Sequence, residues 1–484
     1  MMVTASDLTL RCPVPGSLLD QSVLRKIPSP CYVLDERSLR RNLELIAGVG
    51  RAAQVRIILA LKAFAMWSAF PIFREYISGA TASSLAEARL VGEEFGAMSH
   101  TYAPVYTYRD FEELLRYSSH VTFNSLGQYE RFAPAALIRG ISCGLRINPE
   151  CSTVATDLYD PCSPGSRLGV TADELEGLSA AGGGGSLESG GAVGSSAAGE
   201  GAAGASRRGE RDGERLRSTG RQAGASSTFS TACQGRDGGD GLPAGLDGFH
   251  FHTLCESGPE ELRTTLEAVE ARFGRWLPSL RWINMGGGHL ITREGYDTGG
   301  LVALLRDFKQ RHPNLEVILE PGSAFTWRTG WLVATVEDKI ERGGVNTLMV
   351  DVSFACHMPD CLEMPYKPAI VGAHDPAPDL RPDQDPASSP APHSGSSPVP
   401  RPGEKRWRVG GNCCLAGDFV GDWVFDHEPQ VGDRLVLEDM MHYTMVKTTM
   451  FNGVAHPSMA ILRADGTLDV VREFGYEDYK SRMG

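Results

Sequence analysis

Arg56-Ile57-Ile58-Leu59-Ala60-Leu61-Lys62-Ala63-Phe64 is the stretch on which the reading of this chain turns. It carries a single amine, that of Lys62, to the end of an apolar run. Such a run is too oily for a half-exposed strand and predicts a buried parallel one, and a group at the end of a buried strand stands where α/β barrels place their catalytic residues. Desolvation there lowers the pKa of an ammonium and leaves a usable nucleophile. The same residues also fit a solvated lysine that only caps a strand, so the choice falls to the rest of the chain.

Outward from Lys62, short apolar runs alternate with amphipathic ones at the spacing of repeated βα units. Strands are predicted at His100–Val105, His120–Phe123, Ile141–Ile147, Leu246–His252, Leu280–Met285 and Leu315–Leu319. Helices are predicted at Trp67–Ile77, Leu85–Phe95, Tyr108–Tyr117, Leu126–Leu137, Pro259–Phe273 and Leu301–Arg311. A (β/α)8 barrel over 36–324 is the economical closure. From Trp331 onward the runs have period two with turn signals between them, which predicts a mainly β domain over 325–484. The N-terminal segment 1–35 holds Cys31-Tyr32-Val33-Leu34, expected to add a strand to that domain. Two stretches break the composition: 177–241, rich in Gly, Ala and Ser, and 373–404, rich in Pro, Ser and Asp. Neither has the apolar surface to offset its ordering entropy, so both are expected to be disordered surface inserts.

The 484 residues are 42% hydrophobic, ample for a large core, and carry a formal net charge of -13. That charge disfavours nucleic acid and anionic membrane as partners and mildly favours a cationic ligand. The 11 cysteines are odd in number and scattered, with no CxxC metal spacing, which fits a reducing compartment such as the cytoplasm. Asp7 and Asp20 interrupt the first thirty residues, so no secretory signal is expected, while a short organellar leader stays compatible. No run approaches the length of a membrane-spanning helix.

Three motifs end predicted barrel strands. Gly286-Gly287-Gly288 follows Trp282-Ile283-Asn284-Met285, and consecutive glycines let backbone N–H groups approach a phosphate; a plain tight turn is the alternative. Glu320-Pro321-Gly322 follows Leu315–Leu319 and buries a carboxylate that needs a cationic partner. Phe249-His250-Phe251-His252 turns two imidazoles to one side. A third zinc ligand at a convincing spacing is missing, so no metal is expected and a core or ring-stacking role is favoured. A lysine, a glycine-rich phosphate cradle, a buried glutamate and a planar histidine together suit pyridoxal 5'-phosphate.

With these residues in place, the chain resembles the fold-type III pyridoxal-phosphate decarboxylases, the alanine-racemase-like group that includes ornithine and diaminopimelate decarboxylases. Within it the similarity is to the branch acting on carboxynorspermidine or carboxyspermidine. Ile27–Leu34, Ala60–Phe64, Gly165-Ser166-Arg167-Leu168-Gly169-Val170, His250–Glu256 and Met285–His289 carry the resemblance, as do Glu320–Gly322, His357-Met358-Pro359-Asp360, Gly410–Asp418 and Tyr443–Gly453. It covers nearly all of the chain outside the two inserts. The resemblance implies that Lys62 holds the cofactor, His252 stacks on it, Gly286, Gly287, Gly288, Gly322 and Tyr443 serve its phosphate, and Glu320 faces its ring nitrogen. It also implies that Cys414 supplies a proton from the partner subunit of a homodimer, although the adjacent Cys413 leaves the register open by one residue.

The implied activity is loss of CO2 from a carboxylated polyamine, giving norspermidine or spermidine. Ser323 stands where many relatives have arginine after Glu-Pro-Gly, and Leu415 stands where diaminopimelate enzymes have glutamate, which weakens the case for a substrate with a distal carboxylate. Asp351, Asp360 and Asp418, with Glu320, are expected to meet substrate amines; each aspartate could equally be a solvated loop residue. A diaminopimelate or basic amino acid decarboxylase, a racemase and a cofactor-free regulatory homologue are the alternatives.

Overall fold

A parallel strand covered on both faces has no polar side to show, and the apolar runs of the N-terminal half obey that rule. In the computed structural model, which describes residues 21–153, 160–182, 241–363, 366–376 and 404–484, these runs form one sheet that closes on itself. Its strands are β2 (Arg56–Ile57), β3 (Leu59–Ala60), β4 (Ala80–Ala82), β5 (Ser99–Tyr102), β6 (Ser118–Phe123), β7 (Ser142–Arg146), β8 (Leu246–His250), β9 (Trp282–Asn284) and β10 (Glu316–Leu319). The order is β2-β10-β9-β8-β7-β6-β5-β4-β3, and every pairing is parallel.

The single strand expected around Ile57–Leu61 is broken at Ile58. Its first half pairs with β10 and its second with β4, and the Ile58 N–H reaches the Leu319 carbonyl at 3.0 Å. The break is the seam of the barrel: one stretch serves both neighbours, so nine hydrogen-bonded segments make eight staves.

Helices cover the outside. Glu36–Ala53 starts on Asp35, whose side chain accepts the Arg37 N–H, and ends on Gln54 in the left-handed region, two well-formed caps. Leu39, Leu43 and Ile46 on its inner face are fully buried. The helix expected over Leu85–Phe95 passes at Val91 from α to a π turn, Val91–Phe95. Inside the barrel, the Trp282 indole fills the lower layer because β7 and β8 present glycines to it: a Cβ on Gly144 or Gly248 would overlap the ring. Below it His100 and His120 stack with ring centroids 3.9 Å apart, and Arg56 approaches His100 at 3.1 Å.

The second sheet is mostly antiparallel. β1 (Cys31–Asp35) lies between β11 (Gly330–Arg342), antiparallel, and β17 (Ser458–Leu462), parallel. β12 (Val345–Val350), β14 (Trp407–Gly410), β15 (Phe419–Phe425) and β13 (Ala373–His374) extend it on one side and β18 (Leu468–Arg472) on the other, while β16 (Arg434–Glu438) pairs with β11. The stretches expected as inserts lie mostly outside the described residues. Their edges do not: the helix Ala172–Gly182 runs past residue 177, and Ala373–His374 pairs with β15.

Candidate active site

The C-terminal ends of β3, β8, β9 and β10 converge above the Trp282 layer. Lys62 follows β3 and forms part of the wall of a cavity of about 550 Å³ between barrel and second sheet, with Met66, Trp67, Glu87, Met445 and Phe474 among the other walls. Protein surrounds the amine on the barrel side, and this desolvation pulls its pKa below the usual 10.5 despite the opposing charge of Glu320. Solvent still reaches it through the cavity.

His252 sits just past β8. Its Nδ1 accepts the Gly287 N–H at 2.8 Å and its Nε2 lies 3.3 Å from Lys62 Nζ. The nearby lysine charge, with burial second, holds the imidazole pKa well below the usual 6.5. His250, two residues earlier, is buried with Nε2 at 3.8 Å from Glu320, and burial keeps it neutral as well.

Glu320 ends β10. Asn284 donates to its Oε1 at 2.6 Å, and burial raises its pKa while Asn284 and Lys62 oppose the rise. A carboxyl so balanced can share a proton with a ring nitrogen placed against it. The glycines play a different part from the one expected of them. Gly286 N–H is committed to Asn284 Oδ1 at 2.9 Å and Gly287 N–H to His252, so these two permit close approach of imidazole and strand end. A Cβ on Gly287 would overlap the Glu320 carbonyl and crowd the His252 ring.

Tyr443 arrives from the second domain. Its N–H donates to the carbonyl of Ala63, next to Lys62, at 2.8 Å, and its hydroxyl oxygen lies 3.3 Å from where a Gly322 Cβ would be. Burial, with Cys255 and Glu256 adding to it, pushes its pKa up to about 12, so it is a hydrogen-bond donor at neutral pH. Tyr443 and Gly322 thus meet beside Ala63, the neighbour of Lys62.

The aspartates are turned inward. Asp418 is buried, with Oδ1 accepting Ala355 N–H at 2.8 Å and Oδ2 accepting Cys413 N–H at 3.0 Å. Asp351 Oδ1 accepts Thr335 N–H at 2.8 Å. Asp360 is buried against the hydroxyls of Tyr366 and Thr444. Cys414 lies on an exposed turn after β14, its N–H held by Asn452 Oδ1 at 3.1 Å, whereas the Cys413 thiol faces Asp418 and Ser353. Among the described residues no hydrogen bond, ion pair or ring contact joins the Cys414 turn to Lys62.

Arg146 is a site residue that the sequence reading passed over. Buried at the end of β7, it donates to the His252 carbonyl at 3.0 Å and lies 4.9 Å from the centre of the Tyr102 ring, which itself packs on His250. A charged residue ending the run Cys143-Gly144-Leu145 is the same signal that singled out Lys62.

A lysine of lowered pKa beside an imidazole, across from a buried acid, is the setting of a pyridoxal-phosphate enzyme on a barrel with an appended sheet. The Tyr443 hydroxyl beside Gly322 would offer a donor to the phosphate of that group, and His252 and Glu320, both close to Lys62, would meet its ring.

A family model described as the pyridoxal-dependent decarboxylase, C-terminal sheet domain, matches residues 31–441. The chain is 42% identical to a carboxyaminopropylagmatine decarboxylase of Synechocystis, over 97% of this chain and 98% of that one. It is 33% identical to a carboxynorspermidine/carboxyspermidine decarboxylase of Campylobacter jejuni, over 94% and 99%. The crystal structure of carboxynorspermidine decarboxylase from Campylobacter jejuni, complexed with norspermidine, superposes with a TM-score of 0.71 at 31% identity, over 94% of this chain and 100% of that one. The chain belongs to the pyridoxal-dependent decarboxylases, and pyridoxal 5'-phosphate is its cofactor.

Proposed function

We propose that this enzyme removes the α-carboxylate of a carboxylated polyamine, releasing CO2 and leaving the polyamine. The observation that carries the reading is the similarity along the full chain to decarboxylases whose names specify such substrates, at 42%, 33% and 31% identity. The chemistry of the site agrees. Ser323 follows Gly322, so that position offers no guanidinium to a distal carboxylate. A recess of about 390 Å³ lined by Cys255, Glu256, Glu260 and Glu261 opens beside the site and suits a cationic tail.

Bound at Lys62, pyridoxal phosphate would supply an electron sink for the pair that the departing carboxylate leaves. The rest falls to the protein. Lys62 would hold the cofactor, His252 would pack against its ring, Glu320 would meet the ring nitrogen, and Gly288, Gly322 and Tyr443 would receive the phosphate. The proton that completes the product comes to Cα from Cys414 of the partner subunit. Cys414 rather than Cys413 has that role, because Cys413 is turned into its own fold and Cys414 is exposed. The apolar side chains around it, Leu415, Phe419 and Phe451, are 47%, 38% and 45% exposed, as befits a surface that a second copy covers. The catalytic unit is therefore a homodimer with shared sites. All nine cysteines among the described residues are free thiols, which agrees with a reducing, cytoplasmic setting.

A second reading within the class has its own support: the 42% relative is named for a substrate that ends in a guanidinium. CO2 release measured side by side from carboxynorspermidine, carboxyspermidine, carboxyaminopropylagmatine and diaminopimelate tests both. At least one carboxypolyamine is expected to exceed diaminopimelate by a hundred-fold or more in kcat/KM. Preference for diaminopimelate overturns the proposal, and the ranking of the guanidinium substrate decides the second reading.

A further inference from the structure

Asp360, the last residue of the motif His357-Met358-Pro359-Asp360, is in an unusual position. Asp360 is 5% exposed. Its Oδ2 accepts from the hydroxyls of Tyr366 and Thr444, each at 2.8 Å, while Oδ1 is buried with no hydrogen-bond partner among the described residues. Burying a carboxylate that keeps one oxygen unsatisfied is unfavourable, so the two bonds it does make should matter.

One of them leads to the cofactor site. Thr444 is the residue after Tyr443, and Tyr443 has φ +53, in the left-handed region that a bulky aromatic residue seldom enters. Such a conformation persists only when its surroundings fix it. On one side the Tyr443 N–H is held by the Ala63 carbonyl at 2.8 Å; on the other the Thr444 hydroxyl is held by Asp360. Between these anchors the Tyr443 hydroxyl is presented against Gly322.

We propose that Asp360 is a positioning residue for the cofactor phosphate: by holding the Thr444 hydroxyl it fixes the strained backbone of Tyr443, so that the tyrosine O–H meets the phosphate beside Gly322. The proposal rests on reading Tyr443 as a phosphate ligand. Its role is hydrogen bonding rather than charge, since the oxygen facing Thr444 and Tyr366 accepts from both and an amide oxygen could do the same.

The test is the dissociation constant of full-length protein for pyridoxal 5'-phosphate, read by equilibrium dialysis alongside kcat at saturating cofactor and the thermal midpoint. Asp360→Ala and Thr444→Val are expected to weaken cofactor binding about ten-fold or more, the scale of one hydrogen bond to a charged group, with kcat at saturation retained. Asp360→Asn and Thr444→Ser should stay within about two-fold of the parent, and Tyr366→Phe likewise, because Thr444 keeps its acceptor. Unchanged affinity in Thr444→Val, the variant least disruptive to packing, overturns the proposal. So does Asp360→Asn binding as poorly as Asp360→Ala. Tyr443→Phe separates the two levels: if it leaves affinity unchanged the phosphate role of Tyr443 fails, and if it weakens binding while Thr444→Val does not, only the positioning role fails.

Discussion

Lys62 Nζ lies 3.3 Å from His252 Nε2, and the other nitrogen of that ring accepts the Gly287 N–H at 2.8 Å. A neutral imidazole has one acceptor nitrogen and one N–H. Since Nδ1 is the acceptor, Nε2 carries the proton, and it can bond Lys62 only if the lysine offers a lone pair. An amine meets that N–H with its lone pair, whereas an ammonium would face it donor to donor, and the burial that lowers the lysine pKa favours the amine.

The first prediction follows. The neutral fraction of a lysine grows as pH rises through its pKa, so a lowered pKa moves that rise to lower pH. Capture of pyridoxal 5'-phosphate by cofactor-free protein, followed by absorbance, should reach half its limiting rate below pH 10.5, the ordinary lysine value. A midpoint at or above that value would show a charged lysine. Lys62→Ala should lose the cofactor band and at least about a thousand-fold in decarboxylation.

Much of this arrangement was legible in the sequence because burial leaves a pattern. Ile57–Leu61 and Val317–Leu319 are apolar throughout and buried, as strands covered on both faces must be. The break at Ile58 left no such trace, since switching hydrogen-bond partners at a barrel seam changes no side chain. Asp418 shows the other limit. Its sequence context is compatible both with an acid that meets substrate amines and with a solvated loop residue, and only the fold reveals that its oxygens accept the N–H groups of Ala355 and Cys413. The partners of the Gly286 and Gly287 amides, Asn284 and His252, are likewise set by tertiary contact and leave no mark in the local sequence.

The stacked histidines at the floor of the barrel make stability sensitive to acid. Burial lowers the pKa of His120 to about 4 and that of His100 well below 6.5, and it likewise holds His289 and His357 near 4. Between about pH 6.5 and 4 the unfolded chain binds protons that the folded chain refuses, so stability is lost as pH falls through that window. His120 alone accounts for up to about 3 kcal/mol. Denaturant midpoints measured across the window should drop steadily, and His120→Gln should shallow the slope by about one proton. An unchanged slope would mean that His120 titrates normally in the fold.

The floor also predicts a steric effect. Because a Cβ on Gly248 would overlap the Trp282 ring, Gly248→Ala should destabilise the barrel by about 1 to 3 kcal/mol, the usual cost of overpacking. Pairing it with Trp282→Phe, which vacates part of that space, should recover some of the loss. A thermal midpoint that does not move in the single variant would show that the layer has room to spare.

The proposal for Cys414 can be separated from the general importance of that loop by mixing two inactive proteins. Cys414→Ala should lower decarboxylation by about a hundred-fold or more, the scale of a lost proton donor, while Cys413→Ala, whose thiol faces Asp418, should act mainly on stability. Neither Lys62→Ala nor Cys414→Ala is active alone. In a heterodimer of the two, both defects fall in one site and the other site regains an intact Lys62 with Cys414 of the partner subunit. Random exchange of equal amounts makes half of the dimers mixed, each with one good site, so activity should return to about a quarter of the parent's. A donor acting within its own chain would leave every site in the mixture defective, and no activity would return however long the subunits exchange.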